Sequence, residues 1–369
     1  MTKMESLRNQ RGVAAIMVGV ALVMLLGFAA LAVDLGFGWV TRNELQNAAD
    51  AAALGATRQL GVIYEGLHYG ELPTYVCDQA FLTNVAREIA LKNAAAGKYI
   101  TINDSDVTIG KWDAEKKILT PTLMGANAIR VGVRRDSAAN GPIPTFFARI
   151  FGKDAMDVSA TATAALTPES TIEEGGLPIP VGISKEWFKQ WGEFCNQSIQ
   201  FYPTGTLEGC AGWHTFEETP PNASTMGNIL EQLKAGVYDS PRVIAGATDL
   251  EFTGGNVASR LPDLKALFDH CRGEDPNPAP SYCHDKDTDP ETWTTAVVIY
   301  DWEDQLSDPC ANPNKPMTIV GFATVTIEQV LAPPDGQLIQ AKVRCHMAEE
   351  GRGGGGNYGT IGTISGLVQ

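Results

Sequence analysis

GVAAIMVGVALVMLLGFAALAV, Gly12 to Val33, runs 22 residues without a charge between Arg11 and Asp34. At about 1.5 Å of rise per residue a helix of that length reaches roughly 33 Å, enough to cross a hydrocarbon core of about 30 Å. The stretch reads as a transmembrane anchor containing Gly19 and Gly27, with Asp34 and Trp39 at its outer edge. Lys3, Arg8 and Arg11 precede it against Glu5 alone, so the positive-inside rule puts the amino terminus in the cytoplasm and the rest outside.

Two rival readings use the same residues. Ala30-Leu31-Ala32 suits signal peptidase, but the apolar core exceeds the 7 to 15 residues usual for a cleaved leader. A prepilin-type cut would fall after Gly12 and wants Glu five residues on, where Met17 stands. Ala15 and Gly19 form a small-xxx-small pair that admits a neighbouring helix.

Beyond the anchor, Trp39 suits the lipid headgroup layer, and interfacial solvation is the expected state of Asp34. TRNELQNAADAAALGATRQL continues the helix as an amphipathic stalk. Leu45, Ala49, Ala52, Ala56 and Leu60 recur at three and four residues, and Glu44, Asn47, Asp50 and Arg58 take the other faces. The alanine stripe would let a sheet or a sister helix approach closely. Phe81, Leu82, Val85, Ile89 and Leu91 give a second helix over 78–96 with Gly97 as its cap. Alternation marks strands at 106–110, 128–135 and 157–166, and PTFFARIFG over 144–152 has the spacing of a short helix with an apolar face of Phe146, Phe147, Ile150 and Phe151. This order of elements describes an α+β domain.

The whole chain carries −15, and its first twelve residues carry +2 (Lys3, Arg8 and Arg11 against Glu5), so the remainder stands at −17. Such an exterior excludes a nucleic-acid partner, whose phosphates need Lys and Arg. Seven cysteines, six of them after residue 190, fit an oxidising compartment.

RGVAAIMVGVALVMLLGFAALAVDLG, then LQNAADAAALGA, NAIRVGVRR, PTFFARIFG and VSATATAAL, resemble the TadG/TadE-like family of the Flp (tight adherence) pilus assembly system. The most specific part is the apolar helix ending in Ala-Val-Asp and the Asn47 to Ala53 stalk that follows. The resemblance covers residues 8 to 167 and continues loosely beyond. It implies a single-pass protein of the bacterial inner membrane, with its bulk periplasmic or extracellular. Its folded part is pilin-like, and its partners are the lipid bilayer and other pilus-assembly or pilin-like proteins. The domain reading is a cytoplasmic start (1–11), transmembrane helix and interface (12–40), stalk and pilin-like domain (41–168), linker (169–183) and a cysteine-containing α+β module (184–369).

In that last module helices are expected at 226–235 and 262–271, and strands at 295–301, 317–327 and 338–345. Six cysteines allow 15 pairings; proximity favours Cys195 with Cys210, Cys271 with Cys283 and Cys310 with Cys345, leaving Cys77 free. Zinc on Cys271, Cys283 and His284 lacks paired CxxC spacing. Asp285, Asp287 and Asp289 alternate as calcium ligands do, yet Pro290 stands where an EF-hand needs Gly. The glycine-rich end, 351–369, is either a flexible extension or a connector to a last strand. With no HExxH, GxSxG or phosphate loop, neither a catalytic residue, a cofactor nor a small-molecule substrate is expected. A structural pilus-assembly component is the leading reading. An adhesin binding calcium or glycan, and an anchored periplasmic hydrolase, are the alternatives.

Overall fold

A computed structural model describes residues 3–67, 70–191, 193–204, 206, 208–254, 257–272, 283, 289–302 and 310–369, of which 3–11 as helical backbone alone. Helix α1, Lys3–Glu65, spans 63 residues, about 95 Å at helical rise. Two environments divide it. In its front part Val13, Leu22, Leu25, Phe28 and Leu31 are exposed, and an 18-residue window reaches a mean hydropathy of 2.8 with none of it buried. This part is long and apolar enough to span a bilayer. From Thr41 on the same helix is a spine: Leu45, Ala48, Ala49, Ala52, Ala56 and Leu60 are wholly buried.

Helix α2, Gln79–Ala90, starts at Asp78, whose carboxylate accepts the Phe81 N–H at 3.0 Å. It packs Leu82, Ala86 and Ala90 against α1, and Ile89 lies over Gly55, where a Cβ would sit 2.2 Å from its Cδ1. Expected to reach Ala96, α2 instead gives way at Leu91 to a hairpin of β1 (Ala94–Ala95) and β2 (Lys98–Tyr99), with Gly97 at φ +72° in the turn. The hairpin is tied to the spine, because the Ala96 N–H donates to the Glu44 carboxylate at 2.7 Å.

Strands β3 (Val107–Asp113), β4 (Ile118–Pro121) and β5 (Ala128–Arg135) are joined to β8 (Val158–Ala165), and the hairpin of β6 (Ile143–Pro144) and β7 (Ala155–Met156) interrupts the chain before it. They form the antiparallel order β8-β5-β3-β4. Alternation sets the faces: Ile129, Val131 and Val133 are buried with the spine's alanines, and Arg134 turns out to an ion pair with Asp106 at 2.7 Å. The small-residue face, expected to admit a sheet or a sister helix, is occupied by this sheet and α2.

The stretch expected as a linker, 169–183, holds β9 (Glu169–Ile172) and the start of β10 (Val181–Ser184). There follow α3 (Lys185–Gln190), β11 (Ser198–Tyr202), β12 (Ala211–His214), α4 (Ala223–Ala235), β13 (Val243–Ile244), β14 (Asp249–Thr253), α5 (Leu261–Cys271), β15 (Trp293–Tyr300), β16 (Pro316–Leu331), β17 (Leu338–Arg344), β18 (Met347–Gly353), β19 (Thr360–Ile364) and β20 (Gly366–Leu367). Long β16 pairs with β15, β15 with β10, β10 with β12, β12 with β14, and β14 returns to β16, closing a ring of strands. Strands β17 and β11 extend from the far end of β16. Trp213, Phe252, Trp293, Tyr300 and Phe322 fill the core.

The glycine-rich end is structured and returns to the first module. β18 pairs with β9 and β19, and β20 with β8. The Ser365 hydroxyl donates to the Leu54 carbonyl at 2.9 Å, and the Thr363 hydroxyl donates to the Glu65 carboxylate. Glycine allows this approach: a Cβ at Gly61 would lie 2.2 Å from the Thr363 carbonyl oxygen. The architecture is α+β, a long apolar amino-terminal helix carrying a sheet-rich body with three disulfides.

Candidate functional site

The chain's most unusual local chemistry lies where α1 leaves its exposed apolar stretch. Asp34, expected to be solvated, is 5% exposed. Its carboxylate accepts the backbone N–H groups of Phe146 (2.6 Å), Phe147 (3.0 Å) and Ala148 (2.6 Å). These are the orphan donors that open a one-turn 3-10 helix, Ala148–Phe151, so a residue 112 positions away supplies its cap. Phe37 meets Phe146 edge to face at 5.4 Å. Nearer the body, Gly38 lets Met156 of β7 approach, since a Cβ there would fall 2.4 Å from the Met156 methyl.

The loop carried by the β6–β7 hairpin is closed on itself. Thr145 N–H donates to Asp154 (3.1 Å), Ile150 N–H to Phe147 (3.0 Å), Gly152 N–H to Arg149 (3.0 Å) and Lys153 N–H to Ala148 (3.1 Å). Gly152 ends the turn at φ +76°, a conformation glycine adopts without penalty. The expected short helix with an apolar face is a single 3-10 turn stopped by Gly152, and its apolar residues point outward: Ile150 is 76% and Phe151 83% exposed.

The other predicted residues sit as follows. Gly19 and Gly27 lie on the exposed apolar part of α1, each open to space beyond, and Trp39 is exposed one turn past Asp34. Cys271 pairs with Cys283, which takes both sulfurs away from zinc; His284, Asp285 and Asp287 lie outside the described residues. Asp289 accepts the Glu291 N–H at 3.0 Å in a turn. Among the described residues no group of His, Cys, Asp and Glu is placed to hold a metal. The remaining pairings differ from sequence proximity: Cys195 bonds Cys345 and Cys210 bonds Cys310. Strand pairing explains the first. β11 runs antiparallel to β17 with Ser198 opposite Lys342, and the Asn196 N–H donates to the Val343 carbonyl at 2.8 Å, so Cys195 arrives beside Cys345.

Cys77 is free and buried, 3.6 Å from the Tyr64 hydroxyl. Burial raises its pKa and keeps the thiol protonated. His214 is wholly buried between Phe216 and Phe252, and its Nδ1 accepts the Phe216 N–H at 3.2 Å, which makes it a neutral core group. Burial pushes its pKa down to about 3. A cleft of about 610 Å³ opens between the modules beside Lys111, Trp112, Asp113, Glu193 and His346, and no serine or threonine is among its lining residues.

Residues 12–59 match the family model for putative Flp pilus-assembly TadE/G-like proteins, and residues 74–164 match that for putative Tad-like Flp pilus assembly. Over these two stretches the chain matches the TadE/G-like Flp pilus-assembly family. The two matches take in the apolar helix, its spine, α2 and the sheet through β8, and so contain Asp34 and the loop it caps. The matched part ends at residue 164, in β8, and the disulfide-bonded body follows it. No curated protein and no solved structure matches the chain.

Proposed function

We propose that the chain is a membrane-anchored structural component of a Flp/Tad-type pilus-assembly apparatus, acting by contact with other envelope proteins and not by catalysis. The observation that carries this reading is the continuity of α1, which is exposed and apolar in front and wholly buried behind. Force or position transmitted at the bilayer thus reaches the body without a hinge. Lys3, Arg8 and Arg11 ahead of the span favour a cytoplasmic amino terminus in the inner membrane. Three disulfides favour an oxidising compartment for the body, the periplasm or beyond. The α1-on-sheet arrangement supports a pilin-like role. Since the sheet, α2 and the tail already cover the spine, partners meet the body's outer surfaces rather than the alanine stripe.

Deleting the chain in its host and counting surface pili tests the reading. Loss of pili, restored by the intact chain, is the expected result; normal pili in the deletion strain would sink it.

A further inference from the structure

The β6–β7 hairpin descends along α1 toward the apolar span. Met156 stands opposite Gly38, and Phe146 to Ala148 stand opposite Asp34, one turn closer to Val33. Ile150 and Phe151 follow in the same turn, and they are more exposed than Leu35, Trp39 or Val40 on α1. Two further features fit a water-poor setting. The backbone donors of Thr145 to Ala148, and those of Ile150, Gly152 and Lys153, are paired within the protein, as a segment in hydrocarbon requires. Lys153 flanks the apolar pair from an exposed position, where a long cationic side chain reaches lipid phosphates, and Arg149, exposed on the other side, has its guanidinium donating to the Thr145 carbonyl at 3.0 and 3.2 Å.

We propose that this turn is a second membrane contact, with Ile150 and Phe151 entering the leaflet that α1 leaves and Arg149 and Lys153 meeting its anionic headgroups. The occupant is the bilayer and not a protein, because exposed Phe146 and Phe147, held beside Asp34 and Phe37, link the pair to the exposed apolar part of α1, and Arg149 and Lys153 stand on either side of it. Asp34 then has a definite role. It fastens the turn to the spanning helix, so that two points of contact fix the tilt of the body on the membrane.

The proposal rests on α1 spanning a bilayer, and its test separates the two. The full chain, carrying Cys77→Ala, is reconstituted in phosphatidylcholine–phosphatidylglycerol vesicles with a nitroxide at Ile150→Cys, at Phe151→Cys, at Leu25→Cys within the span, or at Ile118→Cys in the β3–β4 hairpin. Collision with oxygen is compared with collision with a water-soluble nickel chelate. Oxygen dominance at 150, 151 and 25, with nickel dominance at 118, is expected. Nickel dominance at 150 and 151 with oxygen dominance at 25 overturns the proposal and leaves the anchor intact. Low collision with both reagents at 150 and 151 also overturns it, since a protein then covers the turn. Nickel dominance at 25 removes the anchor itself and the proposal with it.

Discussion

Replacing Gly61 by alanine inverts the usual effect of that substitution. In an open helix, Gly→Ala stabilises by roughly 0.5 to 1 kcal/mol through reduced freedom of the unfolded chain. At Gly61 the new methyl would lie 2.2 Å from the Thr363 carbonyl oxygen and 3.0 Å from its carbon, about 1 Å inside the 3.3 Å of an ordinary C···O contact. The obstacle is the backbone of β19, which cannot turn aside as a side chain can. Its retreat would loosen the Thr363 hydroxyl bond to Glu65, the 3.3 Å bond from Arg58 to the Thr363 carbonyl and the 2.9 Å bond from Ser365 to Leu54. Overpacking costs about 1 to 3 kcal/mol and each strained hydrogen bond about 1 kcal/mol. Against the helical gain, the net loss is about 3 to 5 kcal/mol. Gly55 supplies the comparison, because its close neighbour is the tip of Ile89, a flexible side chain, and Gly55→Ala is expected to cost less. Thermal melts of both variants in detergent give the ranking, and hydrogen exchange at 360–367 locates the damage to the tail. A Gly61→Ala protein as stable as the parent, with unchanged protection of β19, would refute the view that the tail is clamped on the spine.

Three further perturbations probe other parts of the fold. His214 has a folded pKa of about 3 against an unfolded value near 6.5, so below pH 6.5 the unfolded chain takes up the proton first and stability falls as pH drops toward 3. The loss is about 2 kcal/mol at pH 5; His214→Asn, whose side-chain oxygen can accept the Phe216 N–H, should flatten the acid limb of stability against pH, and an unchanged slope counts against it. Among the disulfides, Cys195–Cys345 closes 150 residues and Cys271–Cys283 closes 12, so loop entropy ranks the Cys→Ser pairs at about 5 and about 3 kcal/mol; equal melting temperatures would contradict that ranking. Asp34→Ala leaves three backbone donors without their carboxylate and should speed trypsin cleavage at Arg149 and Lys153 without changing helix content by circular dichroism, whereas unchanged cleavage would mean that the turn holds itself.

Where one face of an element met the core and the other met solvent, the chain could be read directly. Ala128–Arg135 alternates in sequence and in burial alike, and the span, the spine and the Gly236 cap of α4 follow from period and terminator. Spacing misled where the conformation is set from another element. Phe146, Phe147, Ile150 and Phe151 have helical spacing, yet they are exposed on a turn whose conformation is set by a carboxylate on another element. Nothing near Asp34 announces a partner more than a hundred residues on. Cys271 and Cys283 pair as neighbours along the chain, but the other two cysteine pairs failed for the same reason, since β11–β17 pairing brings Cys195 to Cys345 over proximity along the chain. The glycine-rich tail does lack side chains for a core of its own, but β18 to β20 are held by backbone ladders to β8 and β9, to which side-chain patterns are blind.

The central claim is that one uncut helix both anchors the chain and forms the spine of its body. Amino-terminal sequencing of the mature protein recovered from its native membrane tests it most directly. A chain that retains Gly12 to Val33 and stays with the membrane fraction is predicted. A mature start after Ala32, with the body released in soluble form, would contradict it.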